Sequence, residues 1–183
     1  PDDLESVPDD LAPEDRWLLA EFQQTMHTVK EAWSNLDIYT ATQALKTFGT
    51  GLLPSHYLEM VKSRLYDDDG AAAWTLHRTV RDFMAAFSPV CPFFTHHISS
   101  TVYGSSAVDV DAFPAPALGE VNHGTEEGAR LCALSHDLQE FNGQTWAAKK
   151  ERGISLNQPI EGIAVPEELA EFEVTLTRMH QLS

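Results

Sequence analysis

Seven basic side chains fall in three short groups that could hold phosphate. The groups are Lys62 with Arg64, Arg78 with Arg81, and Lys149 with Lys150 and Arg152. Each group lies on one predicted helix or near its end, so its charges would act together on a phosphate backbone. A basic residue that pairs with a nearby carboxylate on a solvated helix face is the alternative for each. Taken together, the groups predict a nucleic-acid surface.

Three aromatic residues stand where an unpaired base could stack on them. Phe93 and Phe94 follow Pro92 at a turn between two predicted helices, and Trp146 lies one turn before Lys149. Stacking on aromatic rings is a main source of affinity for single-stranded nucleic acid. Packing in the interior is the alternative for each ring. The remaining aromatics on helical stripes are predicted to form the core: Trp17, Phe22, Trp33, Trp74, Phe83 and Phe87.

Cysteine and histidine residues raise the alternative of a zinc site. Cys91 precedes His96 and His97, and Cys132 precedes His136. Neither cysteine has the short C-x2-C spacing of a zinc-binding loop, and both lie in apolar sequence. No G-x-S-x-G nucleophile motif is present either. The sequence therefore predicts no metal site and no catalytic residue, and a metal hydrolase that uses His96 and His97 is the least favoured function.

The hydrophobic spacing predicts that helices position these residues. Pro13 at a first helical position begins the first helix, and Asp37 caps the second, which ends or kinks at 49–51. Pro54 begins a third helix. An acidic turn at 67–70 leads into a fourth, which has the strongest amphipathic pattern, and Pro92 begins a fifth.

The second half of the chain predicts a smaller unit. Residues 104–124 are rich in Ser, Asp, Pro, Ala and Gly and indicate a crossing between units. A long helix ending before Gly153, a strand at 160–165 and a helix at 167–180 follow. The predicted fold is an all-α helix bundle over residues 1–118 with a small C-terminal α/β appendage over residues 119–183.

The charge of the chain is unusual for a nucleic-acid-binding protein. It carries 28 acidic against 12 basic residues, a formal net charge of −16. Such a surface is typical of a halophile or of an acidic mesophile. In molar salt the screening length falls to about 3 Å, so binding would depend on stacking and short hydrogen bonds. Two cysteines, no apolar run of about 20 residues and an acidic N-terminus predict a cytoplasmic protein.

Three motifs in order resemble a known family. They are YLE-x-x-K-x-RL at 57–65, FSP-x-x-PFF at 87–94 and LNQPI at 156–160. The first two resemble the helical anticodon-binding domain of class I aminoacyl-tRNA synthetases specific for branched aliphatic amino acids. The third, after the lysines of the preceding helix, is similar to the archaeal form of the valyl enzymes. The HIGH and KMSKS motifs of the catalytic core do not occur.

This resemblance implies a non-catalytic domain that binds the anticodon stem-loop of tRNA(Val). A catalytic domain of the same polypeptide would carry out the ATP- and Mg-dependent aminoacylation, so no cofactor is expected within these residues. Neither DNA nor a membrane is an expected partner. The equivalent domain of an isoleucyl or leucyl enzyme, and an acidic helical scaffold that does not bind RNA, stay open as alternatives.

Overall fold

The computed structural model describes residues 4–104 and 124–183. Within these ranges the chain is built almost wholly from helices. In chain order the α-helices are α1 (Pro13–Ser34), α2 (Ile38–Thr47), α3 (Leu58–Tyr66), α4 (Gly70–Phe87), α5 (Pro92–Tyr103), α6 (Glu126–Ala133), α7 (Ser135–Glu151) and α8 (Glu173–His180). A π-helical segment at Phe48–Tyr57 joins α2 to α3, and a 3-10 helix at Glu167–Phe172 precedes α8. The predicted all-α class is confirmed.

Helix starts follow the local signals in the sequence. Pro13 occupies the first turn of α1, where its missing N–H costs nothing. The carboxylate of Asp37 accepts from the backbone N of Thr40 at 3.0 Å and caps α2. Asp69 caps α4 in the same way, by accepting from the backbone N of Ala72 at 2.9 Å. The predicted starts of α1, α2, α4 and α5 are therefore confirmed.

The predicted end or kink at 49–51 corresponds to the end of α2 at Thr47 and the π-helical segment after it, whereas the predicted helix start at Pro54 is wrong, because α3 begins at Leu58. The chain passes from α2 to α3 through the π-helical segment without leaving the helix. Proline inside an α-helix lacks a donor and clashes with the preceding turn, and a wider turn relieves the clash. Gly49 packs so closely here that a Cβ would lie 2.6 Å from Cζ of Phe83.

The C-terminal part differs from the prediction at two points. The long helix is divided at Leu134 into α6 and α7, and Gly153, with φ +66°, follows the end of α7 as predicted. The predicted strand at 160–165 is wrong, because Ile160 forms only one parallel bridge, with Leu182. Gly162, with φ +79°, turns the backbone directly afterwards and ends the pairing.

One hydrophobic core joins both halves of the described chain. Trp17 and Leu45 from the first helices lie in it with Leu138 and Phe172 from the C-terminal helices, and all four are inaccessible to solvent. The predicted boundary at residue 118 lies outside the described residues, so the division into 1–118 and 119–183 stays a prediction. Among the helices described, none is both long enough and apolar enough to cross a membrane.

Candidate nucleic-acid interface

Arg64 is directed into the protein. Its Nη1 donates to Oε1 of Glu14 and its Nη2 to Oδ2 of Asp15, each at 2.8 Å, and its Nε donates to Oδ2 of Asp69 at 2.8 Å. Hydrogen bonds to Asp69 and Asp15 raise the pKa of Arg64 although burial opposes this. The hydroxyl of Tyr57 donates to Oδ1 of Asp15 at 2.8 Å. The guanidinium is thus already engaged by three carboxylates, which argues against the predicted phosphate contact.

Arg78 and Arg81 converge on one carboxylate. Nε of Arg78 donates to Oδ2 of Asp82 at 2.7 Å, and Nε of Arg81 donates to Oδ1 at 3.1 Å. Their Nη1 atoms hold the N-terminal segment, at the carbonyl of Leu4 (2.6 Å) and at Oε1 of Glu5 (2.7 Å). This pair fastens the start of the chain to α4, so its donors are largely used within the protein.

Lys149 and Arg152 also bond to the protein backbone. The side chain of Lys149 is inaccessible to solvent, and its Nζ donates to the carbonyls of Leu156 (2.7 Å) and Gln158 (2.8 Å). Desolvation lowers the pKa of Lys149. Arg152 is exposed, and its Nη1 donates to the carbonyl of Glu161 at 2.9 Å. Lys149 therefore supports the turn after α7 and is closed to phosphate, whereas Arg152 remains at the surface.

Lys62 and Lys150 are open to solvent. Nζ of Lys62 lies 3.7 Å from Oε1 of Glu59, a contact that contributes little at an exposed site. Lys150 forms no ion pair with any described residue. Both side chains are therefore accessible to a phosphate, and their contact with RNA stays a prediction.

Phe93 and Phe94 are the exposed aromatic pair that the sequence indicated. They lie in the first turn of α5, with 89% and 54% of their surfaces exposed. Interior packing, the alternative considered from the sequence, does not describe either ring. These exposed rings at a helix start are available for stacking on an unpaired base.

Trp146 occupies a different environment. Its ring centre lies 5.7 Å from those of both His56 and His180. Between the histidines, Asn142 approaches Nδ1 of His56 at 3.1 Å through its Nδ2 and Nε2 of His180 at 2.7 Å through its Oδ1. Burial lowers the pKa of both histidines, that of His180 to about 4. Trp146 therefore packs over a neutral polar network that joins the π-helical segment, α7 and α8.

Three exposed cations were not among the residues that the sequence predicted to bind RNA. Lys30 on α1, Lys46 on α2 and Arg178 on α8 are exposed, and none forms an ion pair with another residue that the structure describes. Lys30 and Lys46 each follow a buried core residue, Val29 and Leu45. Helical periodicity around those core positions was the signal that would have placed both lysines on outer faces.

The five side chains considered for zinc are not brought together. The only grouping of potential ligands within residues 4–104 and 124–183 is His136, Asp137 and Glu140, all exposed. It excludes both cysteines, and Nε2 of His136 lies 3.5 Å from Glu140 as a simple one-turn pair. Cys91 and Cys132 are free and half-buried. The geometry thus offers no four-ligand site from Cys91, His96, His97, Cys132 and His136.

A helix bundle with exposed aromatics and lysines, and with Arg64 and Lys149 bonded within the protein, matches a known family. The family described as "Anticodon-binding domain of tRNA ligase" matches residues 15–164. The chain belongs to this family of anticodon-binding domains.

The similar proteins are archaeal valine–tRNA ligases. The chain is 33% identical over 182 residues to that of Pyrobaculum aerophilum, covering 94% of this chain and 22% of the relative. It is 29% identical over 146 residues to that of Saccharolobus solfataricus, covering 80% and 17%. For Aeropyrum pernix the identity is 30% over 159 residues, covering 82% and 19%. The chain spans about a fifth of the length of the curated relatives that it matches.

Proposed function

We propose that this chain is the anticodon-recognition part of a valine–tRNA ligase and binds the anticodon stem-loop of tRNA(Val). The observation that carries the proposal is the family match over residues 15–164, together with relatives that are named valine–tRNA ligases. Aminoacylation would take place on a catalytic domain of the same polypeptide, which binds ATP and Mg. The role of the present residues is to hold the tRNA so that its acceptor end reaches that domain.

The exposed groups suit an unpaired loop better than a duplex. Phe93 and Phe94 present rings for stacking, which is worth about 1–3 kcal/mol per base. Lys62 and Lys150 offer charges to phosphates, which position the RNA without reading its sequence. Because Arg64, Arg78, Arg81 and Lys149 bond within the protein, they contribute little to a purely electrostatic grip. Recognition then rests mainly on close contact with bases.

The solvent is part of the proposal. A net charge of −16 repels RNA at low salt. Concentrated salt in a halophile's cytoplasm would reduce the screening length to about 3 Å, so that the repulsion would act only at close contact. The same salt would also screen repulsion among the protein's own carboxylates. A higher thermal midpoint in molar KCl than in dilute buffer is therefore expected. Equal midpoints in the two solvents would argue against a halophilic origin.

A direct test compares transcripts that differ only in the anticodon. The purified 183-residue chain, in concentrated KCl, should bind a tRNA(Val) transcript more tightly than the same transcript carrying an isoleucine or leucine anticodon. Fluorescence anisotropy measures each Kd. Equal affinity for all three would remove the valine assignment, and absence of RNA binding would remove the function itself.

A further inference from the structure

A groove between α1 and α2, extending to Cys132 on α6, is an open cavity that no predicted site uses. Its volume is about 530 Å³, within the range of pockets that take small organic groups. The walls carry uncharged polar side chains from both helices, chiefly Gln24 and Thr28 from α1 and Thr40 and Gln43 from α2. The groove is therefore large enough for a single nucleobase and polar enough to hydrogen-bond it.

The groove is almost free of negative charge, in contrast to the chain as a whole. Glu21 is the only carboxylate that lines it, and burial raises the pKa of that group. Its Oε1 accepts from the hydroxyl of Ser135. A second cavity, of about 360 Å³, is lined by three carboxylates, those of Asp137, Glu140 and Glu168. Of the two, the first carries fewer carboxylates and would repel a polyanion less.

Two cations stand on the helices that form the groove. Lys46 lies between the wall residues Gln43 and Thr47 on α2, whereas Lys30, two positions after the wall residue Thr28, lies on the opposite face of α1. Both lysines are exposed and have no ion-pair partner among the described residues. A phosphodiester beside a base in the groove would therefore find the ammonium group of Lys46 available.

The groove combines hydrogen-bonding side chains with an aromatic ring. The side-chain amides of Gln24 and Gln43 are exposed, and neither has an intramolecular partner within the described ranges, so each offers two donors and an acceptor. Tyr39 also lines the groove, with 75% of its surface exposed. Unpaired RNA bases are recognised by just such amide contacts to their edges and by stacking on aromatic faces.

The geometry points to this groove as the specificity site for one base of the anticodon loop. Tyr39 stacks on the base, Gln24 and Gln43 bond its edge, and Lys46 holds an adjoining phosphate. The inference rests on the proposed function, since it assigns the base-reading contacts to a surface distinct from Phe93 and Phe94.

The test uses the chain with a tRNA(Val) transcript and three transcripts in which one anticodon base is replaced. Tyr39→Ala should weaken binding to all four about tenfold, because stacking tolerates any base. Gln24→Ala with Gln43→Ala should raise the Kd for the tRNA(Val) transcript about tenfold and equalise it with one of the three replacements. Far-UV circular dichroism checks that the helices persist, as expected for exposed side chains.

Matched controls come from the same chain. Tyr66 is exposed to a similar extent, 78%, and Gln139 is an exposed glutamine on α7, and neither lines the groove. Tyr66→Ala and Gln139→Ala should leave every Kd unchanged. The groove assignment is overturned, while the proposed function stands, if the wild-type chain discriminates between transcripts, Tyr39→Ala binds each of them as tightly as wild type, and the double glutamine variant discriminates as wild type does. If the wild-type chain binds no transcript, both fall together.

Discussion

Arg64 and Asp15 join two helices through a contact of 2.8 Å between Nη2 and Oδ2, across 49 residues of sequence. Asp15 is inaccessible to solvent, and burial raises its pKa against the opposing effect of Arg64. The hydroxyl of Tyr57 and the backbone N of Ala12 donate to the same carboxylate, at 2.8 Å and 3.1 Å. The start of α1 is thus fixed to α3 by a buried ionic network.

Replacing Arg64 should therefore lower the stability of the domain, and it should not remove a direct contact with RNA. Arg64→Ala leaves the carboxylates of Asp15 and Glu14 buried without a cation, and removing one partner of a buried pair costs about 3–5 kcal/mol. Urea denaturation measures the loss in the free energy of unfolding. Lys62→Ala, on the same helix but exposed, is the control and should change stability by less than about 0.5 kcal/mol. An Arg64 variant of normal stability that binds RNA weakly would return this residue to the interface.

A methyl group at Gly49 should destabilise the fold by overpacking. Its Cβ would lie 2.6 Å from Cζ of Phe83, and the ring of Phe83 is held by Phe48 and Phe87 at centroid distances of 6.1 Å and 5.5 Å. We expect Gly49→Ala to cost about 1–3 kcal/mol, measured by chemical denaturation.

Gly51 in the same π-helical segment is the matched control. A Cβ there meets nothing within 4 Å. Gly51→Ala should leave stability unchanged or raise it by about 0.5–1 kcal/mol, since alanine restricts the unfolded chain. Equal losses at both glycines would show that the segment resists any substitution, and the contact with Phe83 would then explain nothing.

Local signals predicted the helix starts, because a cap such as Asp37 or a first-turn proline such as Pro13 acts on its own neighbours. They failed at Pro54, where a proline normally begins or interrupts a helix but here lies inside the π-helical segment. There Phe48 packs on Phe22, with ring centres 5.2 Å apart, and on Phe83, so tertiary contacts sustain a helical path that local preference disfavours.

The candidate interface was less predictable than the fold. Exposure of Phe93 followed from its place after a proline turn. The ion pairs of the cations could not be predicted in this way. Arg64 bonds to Glu14 and to Asp15, which lie 50 and 49 residues away in the sequence. The groove residues Gln24 and Gln43 lie on polar faces that look like ordinary solvated surface in sequence. Only the pairing of α1 with α2 makes them neighbours.

Substitutions at two adjacent lysines should affect stability and RNA binding separately. Lys149→Ala removes the ammonium that donates to the carbonyls of Leu156 and Gln158, and should cost about 2 kcal/mol of stability. Lys150→Ala should leave stability unchanged but, if Lys150 contacts a phosphate, reduce the slope of log K against log salt by about 1. Anisotropy titrations over a range of KCl concentrations measure the slope. A reversed pattern, with binding lost at 149 and stability lost at 150, would contradict the geometry around both side chains.

Acid should weaken the domain through His180. Burial, helped by the charge of Lys149, lowers the pKa of this histidine from 6.5 to about 4, and its Nε2 lies 2.7 Å from Oδ1 of Asn142. Between those two pH values the unfolded chain binds a proton that the folded chain excludes. The free energy of unfolding therefore falls as pH drops from about 6.5 towards 4, by up to about 3 kcal/mol from this group.

The substitution His180→Gln isolates that contribution, because glutamine keeps a donor for Asn142 but does not titrate. Urea denaturation at several pH values should give a wild-type stability that declines relative to the variant as pH falls below about 6.5. Other groups, such as Asp15, whose pKa is raised, act equally in both proteins and cancel in the difference. The same substitution at the exposed His97 controls for the loss of an imidazole as such. A difference between wild type and His180→Gln that stays constant from pH 7 to pH 4 would mean that His180 takes up its proton in the folded state, and the neutral network beneath Trp146 would have to be abandoned.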